Sequence, residues 1–296
     1  MASTWSSVLD FYRGAAPLTD PRPHAALLDK LPRDLPELCA AIQRLVLHVH
    51  WSQAYGVTLS EEHRRDVQSR SLAAILDRIL AHDDRPLDVP RLPAARFAGN
   101  CRDFTVLLCA ALRHQDVPAR ARCGFGAYFR DGTFEDHWVC EHWSAQQRRW
   151  IRTDAQLDSF QREALKLRFD PQDVPEDEFL VAGRAWQACT AGDLDPATFG
   201  IFDMRGLWFI RGNVLRDLAA LNRLELLPWD CWGLMLEQDQ SDAASRRLVD
   251  RAAELTLGAD EVFDEMRTFY ESEPALRVPG FVTNVQTGVQ ESVGPA

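Results

Sequence analysis

Gly99-Asn100-Cys101-Arg102-Asp103-Phe104-Thr105-Val106-Leu107-Leu108-Cys109-Ala110-Ala111-Leu112-Arg113 is the stretch that decides the fold. Phe104, Leu107, Leu108, Ala111 and Leu112 recur at helical period and form one apolar stripe. Asn100 is a suitable N-cap and Asp103 a suitable first-turn acid, so a helix is expected from Cys101 to about Arg113. A cysteine therefore opens the helix. There the unsatisfied backbone N–H groups and the helix dipole favour a thiolate.

Downstream the pattern changes to short strand-like runs, Ala119–Ala127, Asp136–Trp143 and Arg149–Asp154. Arg130-Asp131-Gly132 and Ser144-Ala145-Gln146-Gln147 supply the turns. A helix followed by an antiparallel meander predicts an α+β fold. Within it, His137 lies on the second strand, where a backbone in a sheet holds an imidazole rigidly, and Asp154 ends the third. If those strands pair through the Ser144–Gln147 turn, Asp154 is placed to fix the histidine's tautomer and favour its imidazolium. The residues follow the logic of nucleophile, base and orienter.

Three ordered blocks resemble the transglutaminase-like superfamily. Gly99 to Arg113, with Val117-Pro118-Ala119-Arg120 after it, looks like that family's nucleophile helix and the turn into the next strand. Asp136-His137-Trp138-Val139 resembles its histidine strand, and Trp150-Ile151-Arg152-Thr153-Asp154 its aspartate strand. The resemblance spans roughly residues 95–158 and departs at Gln115-Asp116, where a glycine is usual before Val-Pro. It implies a papain/transglutaminase-like core, a nucleophile helix packed on an antiparallel sheet, with a Cys101-His137-Asp154 triad. Family members include transamidases, peptidases, amidases and catalytically dead versions.

The other reactive side chains have plainer readings. Cys109 sits on the apolar stripe, and Cys123 and Cys140 on strands, as core residues do. His142 alternates with Trp138 and Cys140, on the strand face opposite His137. Asp158 is a rival to Asp154 but falls in an expected loop. Two residues upstream are candidates for an oxyanion hole: papain-like enzymes use a glutamine there, here Gln53, and transglutaminases a tryptophan, here Trp51. The alternative is that Trp51 packs as a helix-end aromatic. His48-x-His50 has no carboxylate or third histidine at ligand spacing, so neither a metal nor a cofactor is expected. Trp208, Asn213, Trp229 and Asp230 are candidates for a substrate pocket wall, or else dock the C-terminal helices on the core.

Around this core, residues 1–94 read as a helical N-terminal part, 95–160 as the catalytic core, 161–275 as a helical C-terminal extension and 276–296 as a loose tail. Leu38, Ile42, Leu45 and Val46 form one helical stripe, and a second helix is expected over Ser69–His82, before a loop with prolines at 86, 90 and 93. Later helices are expected over Val181–Cys189, Asn213–Leu226 and Ser241–Leu257. A net charge of −11 on 296 residues disfavours nucleic acid. No stretch reaches the length of a membrane span and no leader pattern opens the chain, so the expected location is the cytoplasm. Seven scattered cysteines do not form a disulfide framework. The expected function is thioester-forming acyl transfer on a small-molecule or peptide amide or ester, with hydrolysis favoured. The alternatives are amide-forming transamidation and a non-catalytic interaction protein retaining the fold. Nothing in the pattern sets the oligomeric state.

Overall fold

The computed structural model describes residues 2–236 and 242–294. In chain order its α-helices are α1 (Ala2–Arg13), α2 (Ala25–Leu28), α3 (Leu35–Gln43), α4 (Glu61–Arg64), α5 (Leu72–His82), α6 (Cys101–His114), α7 (Ser159–Ala164), α8 (Ala182–Ala191), α9 (Leu207–Leu221), α10 (Ala243–Leu257) and α11 (Phe263–Ser272). Its strands are β1 (Val46–His48), β2 (Phe97–Gly99), β3 (Ala119–Gly126), β4 (Phe134–Ser144), β5 (Arg149–Thr153), β6 (Phe179–Val181), β7 (Phe199–Ile201), β8 (Met204–Arg205), β9 (Asp230–Cys231), β10 (Phe281–Asn284) and β11 (Val289–Ser292). The fold is α+β. Two compact units divide the chain: Leu9–Ala121 with Val139–Val174, and Met1–Val8 with Arg122–Trp138 and Pro175–Ala296.

In the unit that holds Cys101, α6 begins at the cysteine and ends at His114. Its start is fixed by a capping box: Asn100 Oδ1 accepts from the Arg102 N–H at 2.9 Å, and Asp103 Oδ2 accepts from the Asn100 N–H at 2.9 Å. The expected apolar stripe widens into burial on every side, because all residues from Cys101 to Arg113 are buried. Such burial is tolerated because the polar residues are partnered. Arg102 donates to Asp103 and to the carbonyls of Ser69 and Arg70; Arg113 donates to the Ala119 carbonyl and to Thr19 Oγ1. Helices α3 and α5 pack on α6. Asp34 caps α3 through the Glu37 N–H, and Ser71 caps α5 through the Ala74 N–H, which sets the start of α5 three residues beyond Ser69.

The stripe through Leu38 and Ile42 does not continue as helix to Val46. The helix closes at Arg44, and Val46–His48 become β1, paired in parallel with β2 through Val46↔Phe97, Leu47↔Ala98 and His48↔Gly99. Leu47 and Ala98 then pack with Val57 and Leu59 in a small apolar cluster. Leaving β2, the chain turns through Asn100 directly into α6. On the other side, β4 pairs antiparallel with β5, with Cys140 opposite Thr153 and Ser144 opposite Arg149. Cys109 Sγ of α6 lies 3.3 Å from Cys140 Sγ of β4, so α6 rests on the antiparallel pair.

In the unit that holds His137, residues 124–126 of β3 pair antiparallel with β6, residues 134–135 of β4 pair in parallel with β7, and β7 turns back on β8. Helices α8, α9 and α10 pack on one another. Their close approach relies on Gly183, where an added Cβ would lie 2.7 Å from the Ala253 carbonyl oxygen. Arg122 clasps Asp217 of α9 with Nε and Nη2, at 2.9 and 2.8 Å, and both side chains are buried. The region expected as a helical extension thus supplies four strands as well, β6 to β9. Helix α9 starts at Leu207, six residues before Asn213, because Gly206 at φ 117° makes the turn into it without a side-chain cap. Residues 281–292, expected as loose tail, form a hairpin whose β10 also pairs with β9. Ser241 and Pro295, assigned above to a helix and to the tail, lie outside the described residues.

Candidate active site

Cys101 is the first residue of α6 and retains 7% exposure. The nearest acid in sequence, Asp103, is fully buried; burial pushes it up to about 6, against Arg102 and the Asn100 N–H, which pull it down. Its charge is directed at Arg102 and at the cap, so the box that orients Cys101 is a closed polar circuit.

Asp154 directly follows the last residue of β5 and is 2% exposed. Its carboxylate accepts from the Gln156 N–H at 3.0 Å, and its own N–H donates to the Pro171 carbonyl at 2.7 Å, so backbone on both sides fixes it. The rival Asp158 has a structural task. It caps α7 through the Gln161 N–H at 2.9 Å and accepts from the Tyr55 hydroxyl at 2.7 Å.

In the other unit, His137 lies in β4 and is 2% exposed. Aromatic edges surround its ring: Phe129 at 4.8 Å, Tyr128 at 5.9 Å and Phe179 at 6.2 Å between centroids. An imidazole so enclosed has a fixed plane and little competing water. Asp136 beside it is half-buried; desolvation raises its pKa, while Arg216 and the Asn213 amide pull it down, and Asn213 Nδ2 donates to it at 2.7 Å.

The remaining candidates take other positions. Trp51 is half-buried and meets Phe160 edge-on at 6.3 Å, whereas the Gln53 side chain is exposed. Asn213 and Asp230 are both buried and are joined by Arg216, which donates to the Asn213 side chain and to the Asp230 carbonyl. Asp230 also closes its own turn by accepting from the Leu227 N–H at 3.1 Å. Those two belong to a packed polar network, while Trp208 is 46% exposed against Phe209 and Trp229 is half-buried. His142 is buried in β4 opposite Ile151, and burial pushes it down to about 4.

Sequence reasoning missed a small recess lined by His48, Tyr55, Arg96, Phe104, Gln156 and Asp158, among others. Gln156 Oε1 is buried there without a hydrogen-bond partner. Phe104 lies one helical turn beyond Cys101, and Gln156 is the residue whose N–H holds Asp154. No local sequence signal marks it: Tyr55 and Asp158, which are hydrogen-bonded there, stand 103 residues apart in the chain.

Residues 80–155 match the family model described as the transglutaminase-like superfamily, and this segment contains Cys101, His137 and Asp154. None of the curated proteins matches the chain. Among solved structures, it is similar to a protein from Cytophaga hutchinsonii described as a "putative cysteine protease", at 18% identity and a TM-score of 0.34. That alignment covers 58% of this chain and 45% of the other, so the chain spans less than half of that structure's length. An overlap this slight bears neither on fold nor on chemistry.

Proposed function

We propose, from the transglutaminase-like segment at residues 80–155, that this protein is a thiol enzyme acting on an amide or ester through a thioester at Cys101. The observation that carries the reading is the placement of Cys101 as first residue of a box-capped helix, buried from Cys101 to Arg113, inside that segment. There the helix N-terminus favours the thiolate, and the buried helix body fixes its position. His137 is the proposed base and acid, and Asp154 the proposed orienter. Two features support these roles: β5 pairs with the strand that carries His137, and Asp154 directly follows β5.

In the proposed reaction the Cys101 sulfur attacks the carbonyl carbon, and the carbonyl oxygen becomes an oxyanion beside the Cys101 N–H. Collapse of that intermediate breaks the bond to the leaving amine or alcohol, which takes its proton from the His137 imidazolium. Water then attacks the thioester as His137 removes its proton; the acid leaves and the thiol is restored. Hydrolysis is preferred to transamidation because water needs no second binding site, and an amine entering at the same step gives the amide instead. An acyl-thiol-reactive probe followed by mass analysis tests the reading. Adduct on the Cys101 peptide, lost in Cys101→Ala and strongly reduced in His137→Ala, is the expected result. Equal labelling of the Cys101→Ala protein refutes it.

A further inference from the structure

We infer that the protein binds a divalent transition-metal ion, of the zinc class, between His63, Asp66 and His82, at a site separate from the thiol chemistry. One ligand atom from each of these residues lies within 4.8 Å of the others. His82 Nε2 is 2.6 Å and His63 Nε2 3.6 Å from Asp66 Oδ2, and the two imidazole rings are 4.2 Å apart at their centroids. A tetrahedral ion with bonds of about 2.0–2.1 Å needs ligand atoms roughly 3.3 Å apart, so sub-ångström to ångström shifts of side chains suffice.

A second observation points to a ligand independently of that clustering. Asp66 is 1% exposed, and its Oδ1 is buried with no hydrogen-bond partner. Its ion-pair partners are His63 and His82, and no arginine or lysine pairs with it among the described residues. A buried carboxylate without a full set of donors is costly, and a cation held by either or both oxygens removes that cost. The Arg96 carbonyl lies 2.7 Å from His63 Nε2, which makes it a candidate fourth donor once the ring nitrogen turns its lone pair to the ion. Two imidazole nitrogens with one carboxylate and a carbonyl suit zinc, cobalt or nickel rather than calcium or magnesium, which require more oxygen ligands.

The site's place in the fold defines its task. Asp66 Oδ2 also accepts from the Ala98 N–H of β2 at 3.2 Å. The ion thus ties the turn after α4 and the end of α5 to the strand that leads through Asn100 into α6. Such a closed, mostly buried site is structural: it anchors the base of the nucleophile helix without touching substrate.

Cobalt(II) titration of the metal-stripped full-length protein tests this. The expected result is one equivalent bound, with visible d–d bands and no near-ultraviolet thiolate-to-metal band. Zinc should displace the cobalt and raise Tm. His63→Ala and His82→Ala should each weaken binding by more than the roughly 10–100-fold that losing a mere supporting partner costs. Three results overturn the inference: no saturable binding to the wild-type protein, a thiolate band (which would mean a cysteine site), or unchanged affinity in both histidine variants. The wild-type spectrum decides the matter even if one variant fails to fold.

Discussion

His142 makes stability in acid depend on one buried ring. It lies in β4 opposite Ile151, is 8% exposed, and has Nδ1 3.4 Å from Thr153 Oγ1. Burial pushes its pKa from 6.5 down to about 4, with Asp173 opposing and Arg149 assisting. The folded value is depressed below the unfolded one. Above pH 6.5 the ring is neutral in both states and costs nothing; as pH falls, the unfolded chain takes up a proton that the folded chain refuses. Stability is therefore lost between about pH 6.5 and 4. With an unfolded value near 6.5, the loss is about 1 kcal/mol at pH 5.5 and about 3 kcal/mol at pH 4. The perturbation is His142→Gln, which removes the titration and retains a polar side chain of similar length. Urea unfolding followed by tryptophan fluorescence at several pH values gives wild-type minus variant stability, in which the shared titration of the carboxylates cancels. Any constant offset in the variant leaves the slope with pH untouched, and the slope is what counts. A difference that stays flat from pH 7 to 4 refutes the reasoning, and would mean that the folded ring is already solvated.

Iodoacetamide at neutral pH should modify Cys101 before Cys39, Cys140 and Cys189, since burial pushes these up to about 12, well above the usual thiol range, and up to about 11 respectively; peptide mapping over time reads the order. Asp154→Asn should retain about 1% of turnover, because the analogous change in a serine triad costs on the order of 10⁴ and a thiolate needs less help. Asp158→Asn should instead lower Tm and leave turnover nearly intact, as suits a helix cap. Arg122→Met leaves the buried Asp217 carboxylate without its cation and should cost about 3–5 kcal/mol in urea unfolding, most of it recovered by Arg122→Met with Asp217→Leu.

Local signals make α6 and β3–β5 legible in the sequence. Asn100 and Asp103 are cap residues wherever they meet a helix, and the turns after Arg130 and Ser144 contain the usual turn formers. What escapes such reading depends on distant partners. Val46 fits the stripe of Leu38 and Ile42 by spacing, and only Phe97, fifty-one residues on, makes it a strand. The strands β6 to β8 are two or three residues long, too short for any periodicity, and exist because a sheet edge is there to receive them. The same holds for chemistry. Cys101 carries its helix start in its neighbours, whereas His82 stands sixteen residues from Asp66 and resembles any helix-end histidine until the fold brings them together.

A helix closed off from water from Cys101 to Arg113 has a consequence for motion. Its interior amides, bonded within the helix and shielded on every face, can trade hydrogen for deuterium only when the surrounding unit opens. They should be among the last to take up label, while the loop over residues 85–92 takes it up early. Cys101, mounted on so slow an element, does not travel far from its place in the unit. Under the proposed chemistry, any adjustment to acyl groups of different shape comes from the parts of the protein that breathe, and exchange kinetics measured with and without an acylating probe would show which those are.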